Sequence, residues 1–195
     1  MLKKSTLVLL RLPFSFFLMP VFFFALSQAP VINWQKAILI FIILHFIMYP
    51  ASNGYNSYMD RDEESIGLLK APPKVTRQLF YTTVALDVVA ILLSLLINII
   101  FAVCIIANIA ASRAYSYRGI RLKKYPVIGF LTVIIFQGAI TYFMVYYGVS
   151  EISVIPWKGM LISSLLFGGF YPLTQIYQYE QDYKDGGRTM SYLLG

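Results

Sequence analysis

The chain has 195 residues, of which 58% are hydrophobic and only 13% are charged, and its mean hydropathy is +0.69. A soluble domain carries about 25% charged residues, so this composition excludes an ordinary soluble protein and favours a membrane protein. The net charge of +7 does not indicate nucleic-acid binding, because membrane topology explains where the basic residues lie.

Five stretches are long and apolar enough to hold membrane-spanning helices. Residues 12–35, 37–59, 125–150 and 159–179 contain no charged residue, and residues 78–112 contain only Asp87. Because a spanning helix needs about 20 apolar residues, four stretches hold one helix each and the fifth holds two, with a turn near Asn98. The pattern predicts one domain over residues 1–195, an all-α membrane protein with about six transmembrane helices. The predicted spans are residues 12–32, 36–59, 77–96, 98–117, 127–148 and 157–179.

The basic residues predict the orientation of these helices. With the N-terminus in the cytoplasm, every Lys and Arg except Lys36 and Lys158 lies in a cytoplasmic segment, which satisfies the positive-inside rule. The protein is therefore expected in the cytoplasmic membrane, with the lipid bilayer as a partner and without nucleic acid. Residues 60–76 and 113–126 form the longer polar loops, and functional side chains are expected there.

A twelve-residue pattern occurs twice, each time where an apolar stretch runs into charge. Residues 49–60 read YPASNGYNSYMD and residues 171–182 read YPLTQIYQYEQD, so Tyr, Pro, Tyr and Asp recur in register. Pro50 and Pro172 each remove a backbone hydrogen bond, which predicts a kink and a shaped cavity before each acidic cluster. Two equivalent clusters at the same ends of two helices indicate a paired site.

The two clusters have the residue types and spacing of metal ligands. Asn56, Asp60 and Glu64 follow one another at intervals of four residues, so they share one face of a helix. The second cluster repeats the first two positions and adds an acid one turn further on, at Gln178, Asp182 and Asp185. Oxygen ligands of this kind suit Mg²⁺, which often bridges to substrate phosphates. The alternative is a solvated acidic loop neutralised by Arg61, Lys70 and Lys74.

Four segments together resemble the UbiA family of intramembrane prenyltransferases. Residues 11–13 (RLP) resemble its opening Arg-Pro, and residues 56–64 (NSYMDRDEE) resemble its first metal motif, NDxxDxxxD. Residues 115–126 (YSYRGIRLKKYP) are similar to its Tyr-Ser…Arg-Leu-Lys…Pro loop, and residues 179–189 (YEQDYKDGGRT) are similar to its second motif, DYExDxxxGxxT. The four segments occur in the family's order.

The resemblance implies Mg²⁺-dependent transfer of a prenyl group from an isoprenyl diphosphate to a hydrophobic, often aromatic, acceptor within the membrane. It assigns one ion to each cluster, with Asp182 joined by Glu180 or Asp185 in the second. Asp60 and Asp182 are expected to be essential for catalysis. The residues expected to contact the substrate are Lys70, Lys74, Tyr115, Arg121 and Lys123.

Three residues depart from the family pattern, and two of them, Ser57 and Gln178, remove a negative charge, which is expected to weaken ion binding. Ser57 and Gln178 stand where the family usually has Asp, and Glu64 replaces the last Asp of the first motif. The family has about nine membrane helices, of which this chain covers about six, and the sequence ends soon after the second motif. A C-terminally truncated protein or gene fragment is therefore expected.

Two other functions stay open, a six-helix transporter and a non-catalytic membrane protein derived from the enzyme family. His45 and Asp87 lie inside predicted spans, where an ion path would need them. For His45 the alternative is a packed, hydrogen-bonded side chain, and for Asp87 it is a buried ion pair with a partner that the sequence does not identify. A transporter carries its polar residues near the midplane, whereas most acids here collect at the cytoplasmic ends of the helices, which favours the enzyme.

Overall fold

A computed structural model describes residues 2–61, 65–66, 69–150, 154–178 and 190–194, with the backbone alone at residues 177, 178 and 192. Within these residues the protein is all-helical, and six helices are long and apolar enough to cross a membrane. The predicted bundle of about six spans is thereby confirmed. The helices are α1 (Lys4–Gln28), α2 (Trp34–Asp60), α3 (Arg77–Ser94), α4 (Ile99–Ser116), α5 (Pro126–Ser150), α6 (Trp157–Ile176) and the short α7 (Met190–Leu194).

The helix ends follow local sequence signals. Asn33 caps α2 by accepting a hydrogen bond from the backbone N–H of Lys36 at 3.1 Å, and Asn98 caps α4 in the same way. A side-chain oxygen at this position satisfies a backbone donor that the helix leaves open. Asn98 therefore marks the turn that divides residues 78–112 into two helices, as predicted. α1 begins earlier than predicted, at Lys4, and Arg11, with a φ of 46°, interrupts it.

Four of the membrane helices contain a segment that is not α-helical. α1 has a 3₁₀ segment (Leu12–Leu18), and α2 and α5 have π segments (Ile43–Met48 and Ile134–Ile140). The last part of α6 belongs to a 3₁₀ segment (Tyr171–Gln178) that continues beyond it to Gln178. Pro50 lies two residues after the end of the π segment of α2, and Pro172 lies in the 3₁₀ segment Tyr171–Gln178. A proline has no backbone N–H and removes one hydrogen bond from a regular helix. Both copies of the repeat therefore begin where the hydrogen bonding of the helix is irregular.

The helix α2 is the centre of the bundle and packs against α1, α3 and α4. Its side chains Ile40, Ile43 and Leu44 are fully buried. α5 and α6 approach each other closely at Gly138. A Cβ added there would lie only 2.7 Å from the Cα of Ser164. Small residues permit such close contact between membrane helices.

Candidate functional site

A cavity of about 200 Å³ opens between the helices, and side chains from all six membrane helices line it. We call it the polar cavity, because charged, carboxamide and hydroxyl groups line much of its wall. A second space of about 220 Å³ adjoins it and is called the apolar arm. The residues that line only the apolar arm are Phe17, Leu18, Phe167 and Phe170.

The two copies of the sequence repeat face the same polar cavity. Five positions of the first copy line the cavity, and for three of them the matching position of the second copy lines it too. The matched pairs are Tyr49 with Tyr171, Ser52 with Thr174, and Asn53 with Gln175. The equivalence in sequence therefore corresponds to a shared location in space, as a paired site requires.

Asp60 lies at the end of α2, lines the polar cavity and is 8% exposed. Its Oδ2 lies 2.5 Å from Nζ of Lys123, and its Oδ1 lies 3.8 Å from a guanidinium nitrogen of Arg121. Arg61 and Arg121 both have left-handed backbones, with φ of 56° and 48°. The first ends α2, and the second leads into the 3₁₀ turn Leu122–Lys124 that carries the lysine. Arg121 and Lys123, which the loop motif predicted as substrate contacts, thus lie next to the carboxylate of Asp60.

Asn56 lines the same cavity one helical turn before Asp60. Its Nδ2 donates a hydrogen bond to Oγ of Ser116 at 3.0 Å, which leaves its Oδ1 available as an acceptor. Ser52 and Ser112, also on α2 and α4, are hydrogen-bonded at 2.5 Å. These two ties between α2 and α4 fix the rotation of α2, so that Asn56 and Asp60 face the cavity together.

The other predicted site residues differ in where they lie. Tyr115 lines the polar cavity, and its hydroxyl is hydrogen-bonded to that of Tyr171. Lys70 and Lys74 are exposed and do not line the cavity, so their contact with substrate stays a prediction. Glu64, Glu180, Asp182 and Asp185 lie outside the described residues, as does the side chain of Gln178.

Ser57, one of the departures from the family motif, is buried in the structure. It is 2% exposed and is not among the residues that line the polar cavity. A carboxylate at this position would therefore be buried in the helix packing. The expectation that Ser57 weakens ion binding stays a prediction, because most residues of the two acidic clusters lie outside the described residues.

Deeper in the cavity, Asp87 of α3 pairs with Arg113 of α4. Nε of Arg113 donates to Oδ2 of Asp87 at 2.9 Å, and a second nitrogen contacts the same oxygen. The guanidinium lies 3.8 Å from the ring centroid of Tyr55 and 3.4 Å from Oγ1 of Thr83. Sequence reasoning assigned Arg113 to the cytoplasmic charge and named no partner for Asp87. A sequence signal for this pair was present, because Asp87 and Arg113 lie on α3 and α4, two helices joined by the short turn at Asn98. The long side chain of Arg113 can extend along α4 toward Asp87.

His45 is fully buried and is not among the residues that line the polar cavity. Its Nδ1 lies 3.0 Å from the backbone carbonyl oxygen of Ser15, in the 3₁₀ segment of α1. The rings of Phe22, Phe41 and Tyr49 surround it at centroid distances of 5.7, 4.6 and 5.3 Å. These contacts favour the interpretation of His45 as a packed side chain that joins α1 to α2.

The fold and the cavity together define an integral membrane protein with a polar, acid-containing site between its helices. The model of the UbiA prenyltransferase family matches residues 16–195. This chain belongs to that family, as the four sequence segments predicted.

Solved structures of a UbiA homologue from Archaeoglobus fulgidus have the same fold. The structure bound to GPP and Mg²⁺ is 23% identical, with a TM-score of 0.75 over 98% of this chain and 70% of the homologue. The structure bound to DMAPP and Mg²⁺ is 22% identical, with a TM-score of 0.76 and the same coverage. A comparison with curated proteins found no significant match.

Proposed function

We propose that this chain is a Mg²⁺-dependent transferase that moves a prenyl group from an isoprenyl diphosphate to a hydrophobic acceptor inside the membrane. The observation that carries the proposal is the polar cavity, where Asn56, Asp60 and Lys123 meet while the apolar arm leads away. An isoprenyl diphosphate has the same division, with a highly charged head and an apolar chain. Family membership supports the assignment, as do the ligands of the Archaeoglobus fulgidus homologue.

The first cluster offers ligands that suit Mg²⁺. Oδ1 of Asn56 and the carboxylate of Asp60 are hard oxygen donors one helical turn apart, and Mg²⁺ usually binds one or two carboxylates and keeps several waters. Among the described residues, no three His, Cys, Asp or Glu side chains lie together. The further ligands would therefore be the predicted ones, Glu64, Gln178, Glu180, Asp182 and Asp185. When bound, Mg²⁺ supplies positive charge that stabilises the departing diphosphate.

Lys123 and Arg121 are the residues that would hold the diphosphate. Both now neutralise Asp60, and phosphate oxygens offer them stronger, charge-assisted hydrogen bonds. Transfer of these contacts to a diphosphate leaves the Asp60 carboxylate available as a ligand. The same cations thus compensate the charge of Asp60 here and would compensate that of a bound diphosphate.

The reaction exchanges one bond at C1 of the prenyl group for another. The bond from C1 to the bridging oxygen breaks, and its electron pair leaves with the diphosphate. The acceptor supplies the electron pair for the new bond and releases a proton, which the diphosphate takes up. Positive charge develops at C1 meanwhile, and aromatic faces stabilise such charge. The rings of Tyr49, Tyr115 and Tyr171 line the cavity and are placed to do so.

We also propose that the acidic end of the bundle faces the cytoplasm. All basic residues except Lys36 and Lys158 belong to segments at that end, and such residues remain on the cytoplasmic side. A charged diphosphate would then reach the site from the cytoplasm, while its chain lies among the helices.

Diphosphate release from GPP by membranes that contain the full chain and Mg²⁺ tests the proposal. Asp60→Ala and Asp182→Ala are each expected to abolish release. Lys123→Ala is expected to raise the KM for GPP about 10–100-fold, because a hydrogen bond to a charged group contributes about 1.5–3 kcal/mol. The neighbouring Lys124 is exposed, so Lys124→Ala is the matched control and should change KM less than about twofold. Unchanged release in the Asp60→Ala and Lys123→Ala variants would refute the enzyme assignment.

A further inference from the structure

The last turn of α2 carries Asp60, and its backbone is tied to the loop that joins α4 to α5. An α-helix leaves its last four carbonyl groups without partners inside the helix. Nε of Arg118 donates to the backbone carbonyl oxygen of Met59 at 2.8 Å, and Nη2 donates to that of Asp60 at 3.4 Å. One side chain from the loop thus supplies donors to two consecutive carbonyl groups at the end of the helix.

The loop that carries Arg118 has a defined shape. The backbone N–H of Arg121 donates to the carbonyl oxygen of Tyr117 at 2.7 Å, so the chain turns sharply around Arg118. A Cβ on Gly129 of α5 would lie only 3.0 Å from the Cα of Lys123, so the loop also packs directly against α5. The turn and this packing together fix where the loop meets the end of α2.

Three cationic side chains of this loop contact different parts of one helix end. Lys123 and Arg121 contact the carboxylate of Asp60, whereas Arg118 contacts backbone carbonyl groups. Lys123 lines the polar cavity, while Arg118 is exposed and is not among the described residues that line it. The three cations are therefore suited to different tasks.

The inference rests on the proposed function, in which Lys123 and Arg121 shift from Asp60 to the diphosphate. The carboxylate then loses the two contacts that hold it in the present arrangement. The contacts of Arg118 do not involve the carboxylate, so they persist when the ligand binds. A cation beside the end of a helix also stabilises its last turn, because the terminal carbonyl groups carry partial negative charge.

We propose that Arg118 is a positioning residue, which clamps the end of α2 and keeps the carboxylate of Asp60 directed into the polar cavity during the reaction. Helix ends fray, and Mg²⁺ requires near-ideal octahedral geometry, so an ion ligand on the last residue of a helix needs such support. An arginine suits this task, because its guanidinium offers several N–H donors in a fixed geometry. Arg118 acts through Asp60 and does not bind the diphosphate.

The Mg²⁺ dependence of diphosphate release from GPP by the purified full chain tests this role. In Arg118→Ala, the Mg²⁺ concentration that gives the half-maximal rate is expected to rise about five- to tenfold, which corresponds to the loss of about one hydrogen bond. The KM for GPP at saturating Mg²⁺ should stay within about twofold, because no contact with the substrate is lost. Lys123→Ala should show the opposite pattern. Arg118→Lys keeps the positive charge beside the helix end and should restore part of the Mg²⁺ response.

Hydrogen exchange of the backbone amides at residues 57–61, measured without Mg²⁺ and GPP, tests the clamp independently of turnover. Arg118→Ala is expected to raise the exchange rates there about fivefold, because the last turn of α2 opens more often. Arg77, at the start of α3, is also an exposed arginine, so Arg77→Ala is the matched control. It should change neither the exchange at residues 57–61 nor the Mg²⁺ dependence.

The clamp is refuted if exchange at residues 57–61 is unchanged in Arg118→Ala, or if this variant raises the KM for GPP while the Mg²⁺ dependence stays the same. The second result would make Arg118 a direct contact of the diphosphate. Failure of the clamp differs from failure of the proposed function. If the unaltered chain releases no diphosphate, the proposed function fails. Hydrogen exchange alone then decides on Arg118, where unchanged rates overturn the clamp and faster rates support it.

Discussion

Replacing Asp87 by alanine is expected to destabilise the helix bundle by about 3 kcal/mol. Removing one partner of a buried ion pair costs about 3–5 kcal/mol, because the other charge stays buried without compensation. The side chains of Asp87 and Arg113 are 13% and 20% exposed, which places the cost at the lower end of that range. Arg113 also contacts the ring of Tyr55 and the hydroxyl of Thr83, so it is held in place when its partner is removed.

A double variant separates the charge effect from the packing effect. Asp87→Ala combined with Arg113→Met removes both charges and keeps an apolar stem, so we expect it to cost about 1 kcal/mol less than Asp87→Ala alone. Thr83→Val removes only the long 3.4 Å contact and should cost less than about 1 kcal/mol. Unfolding by increasing SDS in mixed micelles measures all of these free energies. Arg113→Met alone is measured in the same way. If the double variant costs the sum of Asp87→Ala and Arg113→Met within about 0.5 kcal/mol, the pair does not stabilise the bundle and the reasoning fails.

Helix packing and topology give two further predictions. Gly138→Ala is expected to lower stability by about 1–3 kcal/mol, because its Cβ would meet a backbone atom of α6 at 2.7 Å. Gly169→Ala, whose Cβ would meet nothing within 4 Å, is the control, and equal melting temperatures of the two variants in detergent would contradict the close approach. In a Cys104→Ala background, Ile120→Cys should react with an impermeant maleimide from the cytoplasmic side and Val154→Cys from the other, since both positions are exposed. Reversed labelling would contradict the orientation.

The six spans could be predicted because length and hydropathy suffice to define a membrane helix. The turn at Asn98 was also predictable, since the stretch that contains it is too long for one helix. The acid at position 60 and the loop lysine at position 123 were predicted from motifs. Their contact, 2.5 Å between Lys123 Nζ and Asp60 Oδ2, follows from the fold, which brings the loop after α4 to the end of α2.

The irregular segments and the buried polar contacts could not be predicted. A π segment differs from an α-helix by one residue in its hydrogen bonding, and tertiary packing decides which forms. Gln137 lies in such a segment, and nothing in its neighbouring sequence distinguishes it from a lipid-facing residue. The motif names Ser57 but does not predict its burial, and Ser57 is 2% exposed.

The repeat supplies an argument for where Asp182 lies. Asn53 and Gln175 occupy matching positions in the two copies, and both line the polar cavity. The first copy continues as an α-helix to Asp60, whereas the second is a 3₁₀ helix over Tyr171–Gln178. A 3₁₀ helix rises about 2.0 Å per residue and an α-helix 1.5 Å, so over this segment the second copy advances about 3–4 Å further. This difference is small beside the size of a diphosphate with its ions.

We therefore expect the carboxylates of Asp60 and Asp182 to lie within about 15 Å of each other, which allows two ions about 4 Å apart together with their waters and a diphosphate. Asp60→Cys and Asp182→Cys in a Cys104→Ala background should be joined by a bifunctional maleimide of about 10 Å reach. The reason is that Asn53 and Gln175, which lie seven residues before the two acids in the matching copies, both line the polar cavity. The control pair, Asp60→Cys with Val154→Cys, should not be joined, since topology places position 154 at the opposite end of the bundle. Spin labels at positions 60 and 182 that report only longer separations would show that the two clusters do not form one site. The repeat would then reflect the equivalent packing of two helix ends, and a second source of ligands for the ion at Asn56 and Asp60 would have to be found elsewhere in the chain.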